Sequence, residues 1–165
     1  MKKSPVVVCS LFAAMFALGA DQAAVRVEPA DSVGPRALEK QTETAVIRDY
    51  LQAWSSLSNA FEQNRVDLLD RDFTGTAREK LAGTISEQAK LGIYTRYRDG
   101  AHDLQLVFYS PEGLSIQLVD TVEYDVQILD GEKAQTMQHV RARYVAVLTP
   151  TEVRWKVRVF QAEPD

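Results

Sequence analysis

From Leu114 to Gln161 the chain alternates apolar and polar side chains with a period of two, and this stretch constrains the fold most. Leu114, Ile116, Leu118, Val122, Tyr124, Val126 and Ile128 hold even positions; Ser115, Gln117, Thr121, Glu123, Asp125 and Gln127 fall between them. Successive strand side chains point to opposite faces, so this pattern predicts a strand with one buried face. Its length exceeds an ordinary strand and predicts a bend or bulge. Asp130-Gly131 marks a hairpin. The next strand, about residues 133 to 149, carries Val140, Ala142, Tyr144, Ala146 and Leu148 at even positions. A two-residue loop would pair even with odd positions and bury Arg141 and Arg143. A three-residue loop with left-handed Gly131 pairs Ile128 with Glu132 and keeps the apolar faces together. The expected register therefore sets Leu118 opposite Ala142 and Ile116 opposite Tyr144. After a turn at Thr149-Pro150-Thr151-Glu152, Val153, Trp155, Val157 and Val159 are expected on the core face. Arg154, Lys156, Arg158 and Phe160 are expected on the other. An earlier strand, His102 to Ser110, completes an antiparallel meander of four or more strands.

One apolar sheet face needs a cover, and the N-terminal half supplies it. Val46, Ile47, Tyr50, Leu51, Trp54, Leu57 and Phe61 recur at three and four, the face of a long helix ending near Asn64. A helical turn is expected around Val66 to Leu69. Thr76-Ala77-Arg78-Glu79 reads as a capping box opening a second helix, and Lys90-Leu91-Gly92 closes it. Asp99-Gly100 reads as a turn, with a short edge strand or irregular segment before it. The fold class is α+β, with N-terminal helices packed on a curved antiparallel sheet of four or five strands.

Residues 1–20 read as a secretory signal: basic Lys2 and Lys3, apolar Val6 to Leu18, then Gly19-Ala20. The stretch is short for a membrane span, which makes an uncleaved anchor the alternative. Residues 21–41, with Pro29, Gly34 and Pro35, read as a flexible leader, and residues 42–162 as one domain. Cleavage removes Lys2 and Lys3 and no acid, so a net charge of −4 becomes more acidic by two. It also removes Cys9, the single cysteine, and with it any disulfide, thiol nucleophile or thiolate ligand. An acidic, exported chain argues against nucleic acid as a partner.

Helices followed by a curved meander, the aromatic helix around Trp54, the step Phe73-Thr74-Gly75, Gly92 and the closing Trp155-Lys156-Val157 together resemble the nuclear-transport-factor-2-like superfamily. The resemblance spans about residues 44 to 160. Within that superfamily the chain looks most similar to the intermembrane-space-type domain of plastid division proteins and their bacterial relatives. That likeness implies a non-enzymatic domain that mediates protein contacts. The superfamily also holds isomerase-like and cyclase-like enzymes, so the fold alone does not choose a function.

Asp120 is the one candidate catalytic residue, because parity places a carboxylate among Leu118 and Val122 on the core face. An isolated buried carboxylate is costly, so it needs partners or a proton. As a general base it would sit inside the cone beside the donors Tyr50, Tyr124 and Tyr144. Trp54, Tyr124, Tyr144 and Trp155 are the expected cavity wall. His102, at a strand end, and His139 are expected on the surface and make no zinc set. Asp67, Asp70 and Asp72 do not continue a calcium-loop pattern and read as a solvated helix end. No glycine-rich phosphate loop, dinucleotide fingerprint or nucleophile elbow occurs, so no metal or cofactor is expected. The outward sheet face gathers Val119, Arg141, Arg143, Val145, Val147, Lys156, Arg158 and Phe160, apolar residues among cations that fit a contact surface. The reading is therefore an exported, periplasmic or secreted binding domain. Its partner would be an envelope protein or a second copy, and no stable membrane span remains after cleavage. The alternative is a small-molecule binder or isomerase-like enzyme holding a small apolar ligand in the cone.

Overall fold

The computed structural model describes residues 23–29 and 33–164. The expected signal segment lies outside the described residues. Strand β1 spans Ala24–Val27, helix α1 Lys40–Gln63, a 3-10 turn Val66–Leu69, and helix α2 Gly75–Lys90. Four long strands follow: β2 Ile93–Tyr109, β3 Ile116–Asp130, β4 Lys133–Pro150 and β5 Trp155–Ala162. They form one sheet in the order β1-β2-β3-β4-β5, antiparallel except for β1, which runs parallel to β2. The fold is α+β, two helices on a mixed sheet, as the alternation and the helical spacing require.

Helix α1 buries Val46, Tyr50, Ala53, Trp54, Leu57, Ala60 and Phe61. That apolar stripe meets the even-numbered face of β3, where Ile116, Leu118, Val122 and Tyr124 are all buried. The helix stops because Asn64 takes the left-handed conformation (φ 52°), a state asparagine tolerates better than most residues. Gly92 (φ 70°) does the same after α2.

Several expectations change. Ala24–Val27, inside the expected leader, is a strand paired with Ala101–Leu104. Asp99-Gly100 is not a turn: β2 runs through it with a bulge between Asp99 and Ala101. A Cβ on Gly100 would lie 3.0 Å from the Glu123 carbonyl oxygen, so glycine there permits the bulge rather than ending the strand. The β3–β4 loop has two residues, not three, with Asp130 opposite Lys133 and Gly131 (φ 60°) at the first loop position, where type II′ hairpins want glycine. The one-residue correction comes instead from a bulge at Gln135, after which Ile128 faces Thr136. Even still pairs with even, but Leu118 faces Ala146 and Asp120 faces Tyr144 rather than the expected partners. Thr76 is no capping residue either: its hydroxyl donates to the Arg158 carbonyl, tying α2 to β5.

Another bulge, at Arg158, inverts parity along β5, with Leu148 facing Val157 but Val147 facing Val159. Phe160 therefore turns into the core and Val159 turns outward, the reverse of the simple alternation. Val153 lies in the preceding turn and is exposed. The β5 edge is not left open. Val157 donates its N–H to the Asp72 carbonyl and accepts from the Thr74 N–H, so the loop before α2 covers it.

Candidate functional site

Asp120 lies on the inner face of β3, 0% exposed. The α1 helix brings Tyr50 over it and β2 brings His102 beside it. Tyr50 Oη donates to Asp120 Oδ2 at 2.9 Å, and His102 Nδ1 lies 2.8 Å from the same oxygen. His102 is buried in mid-strand, not on the surface at a strand end. The inward parity of β2 was unreadable from sequence because the Gly100 bulge interrupts it. Burial and the neighbouring Asp120 charge both push the Tyr50 hydroxyl well above the usual phenol range. Tyr50 is therefore a neutral donor, and the acid is held by a phenol and an imidazole.

Above this triad stands Trp54. Its ring meets His102 at 5.4 Å between centroids, Tyr144 at 5.5 Å, Phe160 at 5.4 Å and Tyr124 at 5.9 Å. Tyr144 stacks on Phe160 at 4.7 Å, and its hydroxyl lies 3.2 Å from that of Tyr124. Burial foremost, then the Tyr124 hydroxyl, drive Tyr144 above the phenol range. Burial, with Tyr124 next, pushes Tyr97 up to about 12. Trp54, Tyr124 and Tyr144 pack together as an aromatic plug, of which Tyr124 alone reaches the cleft wall. Trp155 does not join them. Its ring packs against Tyr109 at 6.4 Å, and its main-chain N–H donates to Asp49 Oδ2. Asp120 Oδ1 is buried without a hydrogen-bond partner among the described residues.

An open cleft of about 1150 Å³ lies to one side, between α1 and the sheet. Gln52, Ser55 and Asn59 line it from the helix, and Tyr97, His102 and Tyr124 from the strands. The cleft touches the triad through His102 alone. Asp120 is not in its wall; its side-chain hydrogen bonds go to Tyr50 and His102.

A second buried acid escaped the sequence. Asp72 is 0% exposed, accepts from Ser56 Oγ, and takes Arg154 Nη1 at 3.1 Å. The network pins α1, the loop before α2 and the β4–β5 turn together. Asp67 and Asp70 point elsewhere, to Arg65 and Arg78. His139 pairs with Asp125 at 2.9 Å on the exposed face. Among the described residues no group of three or more His, Cys, Asp or Glu could hold a metal ion. No helix among them is long and apolar enough to cross a membrane.

Of the expected contact residues, Val119, Arg141, Arg143, Val145 and Val147 share the outward face by register. Lys156 reaches the Asp70 carbonyl with its amine. Arg158 sits in the bulge, and Phe160 belongs to the core plug.

No family model matches the sequence, and neither does any curated protein. The fold does have solved counterparts. It superposes on the intermembrane space region of the chloroplast protein ARC6 with a TM-score of 0.62 at 16% identity, over 79% of this chain and 100% of that one. A scytalone dehydratase candidate from Novosphingobium aromaticivorans follows at 0.52 and 12% identity, over 76% and 89%. ActVI-ORFA from Streptomyces coelicolor superposes at 0.51 and 12% identity, over 73% and 95%. The chain thus shares the α+β fold of the ARC6 intermembrane space region.

Proposed function

We propose that this is an exported, non-catalytic binding domain that associates with a second copy of itself through the outer sheet face. The observation that carries the non-catalytic reading is the plug. Asp120, the one acid placed for general-base work, is fully buried beneath Trp54. A general base must come within hydrogen-bond reach of a substrate proton, and here the aromatic rings occupy that space. Export rests on Lys2, Lys3 and the apolar run to Leu18.

The outer face supports the binding half. Val119, itself buried, pairs with half-buried Val145, half-buried Val147 pairs with Val159, and exposed Phe108 lies in the next column across Gln117. Two-fold symmetry lays one such patch on its own copy. The flank carries both signs, with Arg141 beside Glu123 and Arg143 beside Glu163, so a rotated copy sets acid against base. Light scattering after size exclusion tests this. Wild type should elute as a dimer at tens of micromolar, and Val145→Glu as a folded monomer. A wild type that stays monomeric at several hundred micromolar rules out the self-associating form.

One observation favours the enzymatic alternative, or a small-molecule binder: the cleft has His102 in its wall, and His102 is bonded to Asp120. On that reading a ligand in the cleft exchanges a proton with His102 while Asp120 fixes the imidazole. Asp120→Asn would then abolish turnover while leaving ligand affinity measurable. Unchanged turnover would remove the reading.

A further inference from the structure

Strand β4 is far longer than the partner on its outer side. β5 pairs with Tyr144–Pro150 only, which leaves Lys133 to Arg143 without a neighbouring strand on that side among the described residues. The Glu163 N–H donates to the Arg143 carbonyl at 2.8 Å, so the main-chain groups of Arg143 point toward the open side. Strand geometry repeats every two residues, and no bulge lies between Thr136 and Arg143. The N–H and C=O groups of Met137, His139 and Arg141 therefore also face outward. All three residues are exposed.

Basic side chains gather along this edge, with Lys133, His139, Arg141 and Arg143 in eleven residues. Each basic column already has an acid on one side. Arg141 has Glu123 at 3.6 Å and His139 has Asp125 at 2.9 Å, both on β3. Arg143 faces Thr121 on β3 and takes its acid from the opposite side, Glu163 at 3.0 Å. The tail of the chain thus occupies the first position of the open edge with a backbone hydrogen bond and a carboxylate. Among the described residues, the next two positions, beside Arg141 and His139, have neither.

We propose that the β4 edge from Arg143 back to Met137 is a docking site for an extended segment of a partner protein. That segment runs antiparallel to β4, extends the line of β5, and carries acidic residues at alternate positions. Its main chain takes the outward N–H and C=O groups, and its carboxylates face Arg141 and His139. A second copy does not fit the edge. Antiparallel pairing of β4 with itself about residue 140 sets His139 opposite Arg141, and about residue 141 sets Arg143 opposite His139, basic against basic, which is unfavourable. The same cations guard the edge against neutral strands. The site rests on the binding reading and shares Arg141 and Arg143 with the flank of the sheet-face dimer, but its main-chain bonds are its own, so Met137→Pro tests the edge and Val145→Glu the dimer.

The test uses a capped eight-residue peptide of alternating Thr and Glu, titrated into the nitrogen-15-labelled full chain. Controls are the Thr/Lys peptide and a peptide of the same Thr/Glu composition with the acids in one block. Amide shifts should centre on Met137, His139 and Arg141, with binding at least ten-fold weaker for both controls. Met137→Pro should abolish binding. Its N–H faces outward, so no native ladder bond is lost, and an unchanged spectrum away from β4 verifies the fold. Arg141→Glu should weaken binding at least ten-fold. No shift at millimolar peptide, equal binding of the Lys peptide, or full binding by Met137→Pro would overturn the proposal.

Discussion

Replacing Tyr50 with Phe separates a structural triad from a functional one. The ring of Tyr50 is fully buried against α1 and the sheet, and Phe fills the same space, so the substitution opens no cavity. What it removes is one hydroxyl donor, 2.9 Å from a buried carboxylate. A hydrogen bond to a charged group contributes about 1.5–3 kcal/mol. Asp120 keeps His102 at 2.8 Å, so the acid is not left bare, and the loss should sit near the middle, about 2 kcal/mol. For a domain of this size that lowers the melting temperature by roughly 4–8 °C. Urea unfolding followed by tryptophan fluorescence and circular dichroism would measure it, with an unchanged slope showing that the unfolded state is not altered. Sites shaped for function are often under-stabilised, and substitution there commonly raises stability. A Tyr50→Phe variant as stable as wild type, or more stable, would therefore refute the argument that the triad is a core cross-brace.

Tyr50, Tyr97 and Tyr144 should ionise late in an alkaline absorbance titration. Their folded values lie above the unfolded phenol, so the stability they lend is complete below about pH 10 and lost as pH rises toward the folded values, about 12 for Tyr97; ionisation of all six tyrosines near pH 10 in a still-folded protein would contradict this. Arg154→Ala leaves buried Asp72 with Ser56 and a distant Arg71, and should destabilise by about 3 kcal/mol in urea unfolding. Phe160→Ala should cost about 3 kcal/mol, whereas Val159→Thr should stay within about 0.5 kcal/mol; the reverse order would restore the uninterrupted alternation of β5.

Period-two patterning identified β3, β4 and their inward faces because nothing interrupts Ile116 to Ile128. The helical stripe from Val46 to Phe61 was equally plain. What escaped was every place where one extra residue shifts the phase. The bulges at Gly100, Val107, Gln135 and Arg158 are invisible to a two-residue repeat, yet they decide the strand register and turn Phe160 inward. Asp120 was singled out correctly as an acid on a core face, but its partners lie 70 and 18 residues away. His102 could not be assigned until the Gly100 bulge fixed its strand. Asp72 was read as solvated because its partners, Ser56 and Arg154, meet it only in the fold.

The Tyr50 hydroxyl proton reports most directly on whether the cone is closed. In a plugged cone it is held by Asp120 and shielded from water, and it should give a resolved proton resonance near neutral pH that vanishes in Tyr50→Phe. If no such resonance appears because the proton exchanges freely with solvent, while Tyr50 is folded into the core, then water reaches Asp120 and the plug is not closed.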